Sequence, residues 1–364
     1  MSDIIVKCQA LPLDKIAVLW QTIETPDVSF FLSWSWVGTW LATLPFLPKV
    51  FVFYMKHNPT HPVGICIGQI HTHRGLGFSL RQMYLNQTGV QRLDQSWIEY
   101  NDILASPEYL TACRFAWVDY CFASEKVDSL VINTSLYSAR QWTSGNTYAI
   151  DEEHIQGFSK ALQPEYQDLH TLLNSFSKNR KNQLKRAIKF IEHTFGSITL
   201  TKYTHAEAIS QFPALADLHK QRWGDSEFGS GFDNPVFVDF HTRLMRIEHT
   251  EHDIHLLGFS AGDTHLGYLY NIVHNNTVNF YLSGVNYVSA DNKCKVGLVM
   301  HVLAMQHYAE QGCHTYDFLG GESQYKTSLS DTQYTFNYTH LCHSLVRYQF
   351  KRSLYKMRSL LTTP

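Results

Sequence analysis

Residues 280–326, FYLSGVNYVSADNKCKVGLVMHVLAMQHYAEQGCHTYDFLGGESQYK, decide how this chain is read. Phe280 to Val285 alternates as a half-buried strand does, and Asn286 to Lys295 is a polar loop with two lysines. Gly297 then opens a helix with apolar Leu298, Val299, Val302, Leu303 and Met305. Thr315 to Leu319 is the next strand, followed by Gly320-Gly321 and the pair Tyr325-Lys326. A helix that begins after such a loop offers unpaired amide N–H groups and the positive end of its dipole, which together suit a phosphate. The pattern makes Lys293, Lys295, Val296, Gly297, Leu298 and Val299 candidates for holding a phosphate group.

Working outward, 364 residues with 44% hydrophobic content allow two domains or one large one, with ample core. A net charge of −2 gives no global basic signal for nucleic acid. The 20 histidines make the charge sensitive to pH between about 5 and 7. Seven cysteines, odd in number and with no C-x-x-C pair, argue against a zinc ribbon and for a reduced compartment; no metal is expected. The start, MSDIIVKCQALPLDK, has no basic-then-apolar pattern, so it does not read as a secretory signal and a cytoplasmic protein is expected. Phe30 to Pro48 runs 19 residues without a charge. Ser35, Thr39 and Thr43 share one face there, and Pro45 and Pro48 close the segment, so it reads as a short amphipathic helix buried on one side and not as a transmembrane span.

Two halves show related element order. Strands are expected at Val50–Lys56, Val63–His71, Leu80–Leu85 and Ser129–Thr134, with a helix at Pro107–Ala123. In the second half, helices are expected at Thr171–Thr194, Ala206–Trp223 and Pro235–Thr250. A strand is expected at Ser197–Tyr203, and a meander at Asp253–Ser260, His265–His274 and Thr277–Val285. A last helix is expected over roughly His340–Leu361. The polar, irregular stretch Gln141–Gln167 holds the boundary, which gives domains 1–165 and 166–364.

Several motifs fail on context. Gly258-Phe259-Ser260-Ala261-Gly262 matches a nucleophile elbow, but a second strand follows where the elbow needs a helix, so Ser260 reads as the end of a hairpin strand. His249, His252 and His255 straddle a helix end and a strand start among acidic residues, a solvated connection more than a metal site. There is no phosphate-binding G-x-x-x-x-G-K-[ST] and no G-x-G-x-x-G. On the helix Ser175–Phe190, Lys178, Lys181, Lys185 and Lys189 recur at helical spacing, with Arg180 and Arg186 beside them. This is either a solvated basic face or a landing strip for phosphates.

The chain resembles the GNAT family, specifically its CelD-type (cellulose-biosynthesis-type) acetyltransferases, which are related to the FemAB aminoacyl transferases. FLSWSWVGTW, SKNRKNQLKRAIKFIE, LHKQRWG followed by FDNPVFVDFHTRL, and above all YDFLGGESQYK carry the resemblance. It implies an α/β (α+β) fold of tandem GNAT-like domains, each a mixed twisted sheet flanked by helices, with acyl-CoA held by the second copy. The segment Lys293-Cys294-Lys295-Val296-Gly297-Leu298 departs from the family's glycine-rich donor loop.

Acyl transfer needs a positioned thioester, a neutral amine and an acid for the departing thiolate. The resemblance implies Tyr325 as that acid; a packing tyrosine is the alternative. Asp317, embedded in apolar Tyr316-Asp317-Phe318-Leu319, must be paired or have a raised pKa, which suits a base or structural pairing with Arg222. Glu322 is a second base candidate. Lys326, Arg222, Trp223 and Tyr281 are the substrate-binding candidates, with Asn279 behind them. The expected activity is transfer from acetyl-CoA or another acyl-CoA to a small-molecule, saccharide or peptide amine, or to a hydroxyl. An aminoacyl-tRNA-dependent peptide transferase and a non-catalytic binding protein of the same fold are the two alternatives.

Overall fold

A computed structural model describes residues 3–74, 79–143, 149–224, 229–247, 252–287 and 295–342, with isolated positions beyond. In chain order the elements begin β1 (Ile4–Gln9), α1 (Leu13–Ile23), α2 (Trp34–Thr43), β2 (Lys49–Met55), β3 (Asn58–Arg74) and β4 (Ser79–Leu85). Next come β5 (Leu104–Ala105), α3 (Pro107–Ala123), β6 (Ser129–Ser135), β7 (Ala149–Ala161), α4 (Leu169–Asn174), α5 (Lys178–Phe195), β8 (Ile198–Tyr203) and α6 (His205–Trp223). The chain continues through α7 (Pro235–Met245), β9 (His252–Ala261), β10 (Thr264–His274), β11 (Thr277–Val285), α8 (Val296–Glu310), β12 (Thr315–Gly320), α9 (Gln324–Leu329) and β13 (Thr332–Cys342).

Contacts divide the chain into two compact units: Met1–Ile155 with Thr335–Pro364, and Gln156–Tyr334. The first unit thus uses both ends of the chain, whereas one boundary near residue 165 assigns each end to a different domain. Its strands run in the order β1-β2-β3-β4-β6-β13, antiparallel except for the parallel pair β4–β6 that flanks α3. The second unit repeats this scheme in the order β8-β9-β10-β11-β12-β7. There the parallel pair is β11–β12, and α8 connects it.

Each unit has its own core. In the first, Cys113, Ala116, Trp117, Val118 and Cys121 of α3 pack on Phe51, Phe53, Cys66, Met83 and Leu85. In the second, Leu184, Ala187 and Ile191 of α5 and Val299, Met300, Val302 and Met305 of α8 cover Leu257, Phe259, Leu269, Phe280 and Phe318. Helix α8 is apolar on nearly every side and buried accordingly.

Several expectations need correction. The span Thr171–Thr194 is two helices, because Ser177 accepts a hydrogen bond from the Arg180 amide and starts α5 afresh. Gly196, at φ 109, ends α5. The interior of Gln141–Gln167 is not irregular: β7 pairs with β12, Lys160 reaching Asp331 at 3.3 Å from its buried position. His340 to Cys342 belong to β13, not to a last helix, whose remaining length falls largely outside the described residues. Helix α2 is buried from Ser35 through Leu41, all round and not on one side. No helix of the described residues is long and apolar enough to cross a membrane. Ser260 ends β9 opposite His265 of β10 in a hairpin, as its context implies. Of the three spaced histidines, His249 lies outside the described residues and His255 is buried in β9.

Two predictions follow from these cores. Arg114, 2% exposed, donates from Nε to Asp102 Oδ1 at 2.9 Å and lies 3.4 Å above the Tyr137 ring. Arg114→Met strands a buried carboxylate and should cost about 3–5 kcal/mol in urea unfolding, most of it regained when Asp102 is also made apolar. In the second unit, burial pushes the pKa values of His241 and His301 down to about 3. The unfolded chain takes up protons near pH 6.5 while the fold resists until near 3, so stability falls as pH drops through that window. At pH 5 each histidine should cost about 2 kcal/mol relative to pH 7; equal urea midpoints at the two pH values would refute the neutral buried state.

Candidate active site

Strands β11 and β12 are paired over only three positions, Thr277↔Thr315, Val278↔Tyr316 and Asn279↔Asp317. Beyond Asn279 the two diverge. Strand β12 continues to Gly320↔Gly157 on β7 through a register shift after Asp317. Asp317 holds that bend: its Oδ1 accepts from the Leu319 amide at 2.8 Å and from the Tyr334 hydroxyl at 2.6 Å, and Leu319 sits at φ 60. Lys326 closes the turn by donating to Gly320 O at 2.6 Å and Leu319 O at 3.4 Å.

A cleft of about 370 Å³ opens at the splayed end. Arg180 and Gln183 of α5, Arg222 and Trp223 of α6, Ser283 and Val285 of β11, and Tyr287 line it. Lys295 to Leu298 and His301 at the start of α8, with Gln324 and Tyr325 of α9, complete the wall. Helix α6 reaches it because Gly284 has no side chain: a Cβ there would lie 2.8 Å from Leu215 O and from Leu218 Cβ.

Lys295 caps α8 in the left-handed region, φ 44, and no side chain caps the helix. The Leu298 and Val299 amides donate to Lys295 O at 2.9 and 3.2 Å, which leaves those of Val296 and Gly297 outside the helical ladder. Among the described residues three cations, Arg180, Arg222 and Lys295, line the cleft, and no carboxylate does. Burial pulls the Arg180 pKa below the usual arginine value. The Arg222 guanidinium donates to the Tyr287 hydroxyl and lies 4.9 Å from the Trp223 ring. Tyr325 is half-buried, and burial pushes its phenol up to about 12, against smaller lowering influences from Arg222 and a Ser323 hydrogen bond. Its ring stacks on His301, with centroids 5.2 Å apart and planes at 13°.

The structure therefore gathers Lys295, Val296, Gly297, Leu298, Arg222, Trp223 and Tyr325 of the expected set. It places others elsewhere. Lys293 lies outside the described residues. Val299 is buried in the core. Asp317 does not line the cleft and meets Leu319 and Tyr334, not Arg222. Glu322 is exposed and Lys326 is engaged by the turn. Tyr281 packs on His241 and Tyr270, and Asn279 is buried, donating to Ile272 O. Of the basic face of α5, Arg180 enters the cleft while Lys178, Lys185 and Lys189 are exposed. His301, Ser283 and Tyr287 were not foreseen. A polar His301 one turn after Gly297 on an otherwise apolar helix was the signal available for the first of them.

Comparison with known proteins fits this geometry. No curated relative matches the sequence. FemX superposes with a TM-score of 0.55 at 11% identity, covering 94% of this chain and 99% of its own. A C-terminal domain ascribed to a lysylphosphatidylglycerol synthetase of Agrobacterium fabrum gives 0.53 at 8% identity, covering 94% and 95%. A conserved protein of unknown function from Bacteroides thetaiotaomicron gives 0.51 at 11%, covering 93% and 100%. At such identities the likeness speaks for the fold alone. Residues 178–327, which include the whole cleft, match the family model of the acetyltransferase (GNAT) domain, and the fold around them is of the GNAT acyltransferase type.

Proposed function

We propose that the second unit is an N-acyltransferase that passes an acyl group from acetyl-CoA or another acyl-CoA to an amine, and by the same route to a hydroxyl, by direct attack. The observation that carries this reading is the start of α8: the amides of Val296 and Gly297, with Lys295 and Arg180 on the same cleft, form a seat for a diphosphate within reach of Tyr325. Past Asn279 the splay leaves β11 without β12 as its strand partner, which gives the pantetheine arm a backbone edge to bond with. The CelD-type resemblance in YDFLGGESQYK points the same way.

The chemistry follows from the groups present. The amine enters beside Arg180, Arg222 and Lys295, whose positive charge lowers its pKa and favours the neutral nucleophile. Its nitrogen attacks the thioester carbon, the C–S bond breaks, and the thiolate is protonated from Tyr325. The nitrogen's surplus proton returns the phenolate to phenol. Trp223 and Tyr287, exposed at the mouth, supply flat apolar surface for the acceptor. The exposed Lys178, Lys185 and Lys189 keep an aminoacyl-tRNA donor as the second reading.

Calorimetric titration with several acyl-CoA thioesters tests the assignment; an absence of heat with all of them, alongside binding of aminoacyl-tRNA, would transfer it to the second reading. Gly297→Ala is a sharper probe. Among the described residues a Cβ there meets Val285 Cγ2 at an ordinary 3.7 Å, so the fold should be unharmed. The melting temperature should hold or rise, while the methyl keeps a phosphate from closing on the amide N–H groups and weakens acyl-CoA binding about ten- to a hundredfold. Tyr325→Phe should lower kcat by about 10²-fold or more with the acyl-CoA Kd unchanged. Wild-type turnover in that variant removes the acid assignment.

A further inference from the structure

His301 sits on the second turn of α8 with 4% of its surface exposed, and it lines the cleft. Its Nδ1 lies 3.1 Å from the Tyr316 hydroxyl. Tyr316 is fully buried in β12, where burial raises its pKa well above the ordinary phenol value, so the phenol keeps its proton. Among the described residues that proton has one acceptor in reach, His301 Nδ1. Were the imidazole proton on Nδ1, it would point at the phenol oxygen, and the phenol proton would be buried without a partner, an arrangement that folded proteins avoid. The tautomer is thereby fixed: Nδ1 accepts and Nε2 carries the hydrogen.

Phe280 meets the imidazole edge-on at 4.5 Å, and Tyr325 stacks on it at 5.2 Å. Resting on the acyltransferase reading above, we infer that the His301 Nε2–H is a neutral hydrogen-bond donor to the thioester carbonyl oxygen, holding the negative charge that develops there as the amine adds. The sulfur served by Tyr325 and the carbonyl oxygen share one carbon, so adjacent rings can serve both. The proton stays on Nε2 throughout. The described groups facing the imidazole, Tyr316, Tyr325 and the Lys326 ammonium, include no carboxylate to stabilise an imidazolium, and burial and Lys326 both lower its pKa. A base role is closed as well, since one nitrogen already accepts and the other already bears hydrogen. Such a donor acts most strongly in a water-poor site, where it needs no reorganisation as charge builds.

The test begins with wild-type protein shown to bind and turn over an acyl-CoA; failure at that stage counts against the acyltransferase reading and not against His301. Nitrogen-15 NMR of the histidines, with His301 identified by its absence in His301→Gln, should show the Nε2–H tautomer, unmoved between pH 5 and 8. An Nδ1–H tautomer, or titration in that range, overturns the inference whatever the variants do. In kinetics, His301→Leu should lower kcat about 10²- to 10³-fold, the usual loss for one oxyanion donor, while KM for acyl-CoA moves less than about threefold. His301→Gln, whose amide can place an N–H near the same point, should regain at least about tenfold of that loss. Tyr316→Phe frees the tautomer without touching substrate and should lower kcat by about tenfold with mixed tautomers in the spectrum. A folded His301→Leu protein with kcat within about threefold of wild type overturns the assignment.

Discussion

The cleft exists because a parallel ladder stops after three residue pairs. Once Asn279 and Asp317 have met, β11 stays with β10 and β12 stays with β7, and the gap between them exposes backbone that no strand satisfies. Unpaired backbone in a protein interior is costly, so a gap like this is either filled by the chain or left for a ligand. Asp317 keeps it open from below by bonding Leu319 and Tyr334 instead of reaching into the cleft. That is why a buried carboxylate in an apolar strand, which on sequence grounds looks like a base, serves as the brace of the bend. Removing its charge acts first on the geometry of β12 and through that on Tyr325.

The first unit shows the other solution to the same problem. Its parallel pair β4–β6 also spans three positions, Gln82↔Ser129, Met83↔Leu130 and Tyr84↔Val131. There Asn101 fills the fork: its Nδ2 donates to Leu85 O at 3.0 Å and its amide to Thr134 O at 3.1 Å. Asn86 adds bonds to Asn101 Oδ1 and Asp102 O, and Arg114 of α3 is committed to Asp102. The polar groups that would greet a ligand are spent on one another. Among the described residues the same order of elements thus gives an open fork in one unit and a filled one in the other, and the filling groups come from the long connection, residues 86–106, between β4 and α3.

Much of this was legible in the chain itself. Period-two alternation located β11, and the apolar run after Gly297 located α8, because both elements are amphipathic or buried in the ordinary way. Helix α3 could be read from Pro107 to its end, since Pro at the first turn is an unambiguous start. Strand β7 was not legible: its sequence, AIDEEHIQGFSKA, carries charges at positions where pairing partners and not burial set the conformation. Strand β13 was hidden for a similar reason, its polar Thr332-Gln333 start resembling a loop. Of the site, Lys295 to Leu298, Arg222, Trp223 and Tyr325 could be found. Arg180, Ser283 and His301 are brought to one cleft by the packing of α5, β11 and α8, and the polar His301 on an apolar helix was the one local sign of it.

The pKa of Tyr325 constrains the acid role proposed for it. On that reading a phenol pushed up to about 12 would face a thiolate whose conjugate thiol ordinarily ionises near 8.5, so complete transfer to sulfur would run uphill by about 3–4 pK steps, on the order of 4–5 kcal/mol. Burial sets that value, while Arg222 and the Ser323 hydrogen bond pull the other way. On the proposed reading the phenol would not give up its proton ahead of bond cleavage. It would bond to the sulfur as charge accumulates and pass the proton as the new ammonium supplies another, so that the phenolate is returned to phenol in the same step. This coupling needs the acid, the sulfur and the nitrogen in one line of hydrogen bonds. The stack of Tyr325 on the buried His301 ring positions the first of these points, so the proposed chemistry draws on the packing of α8 against α9 as well as on the core.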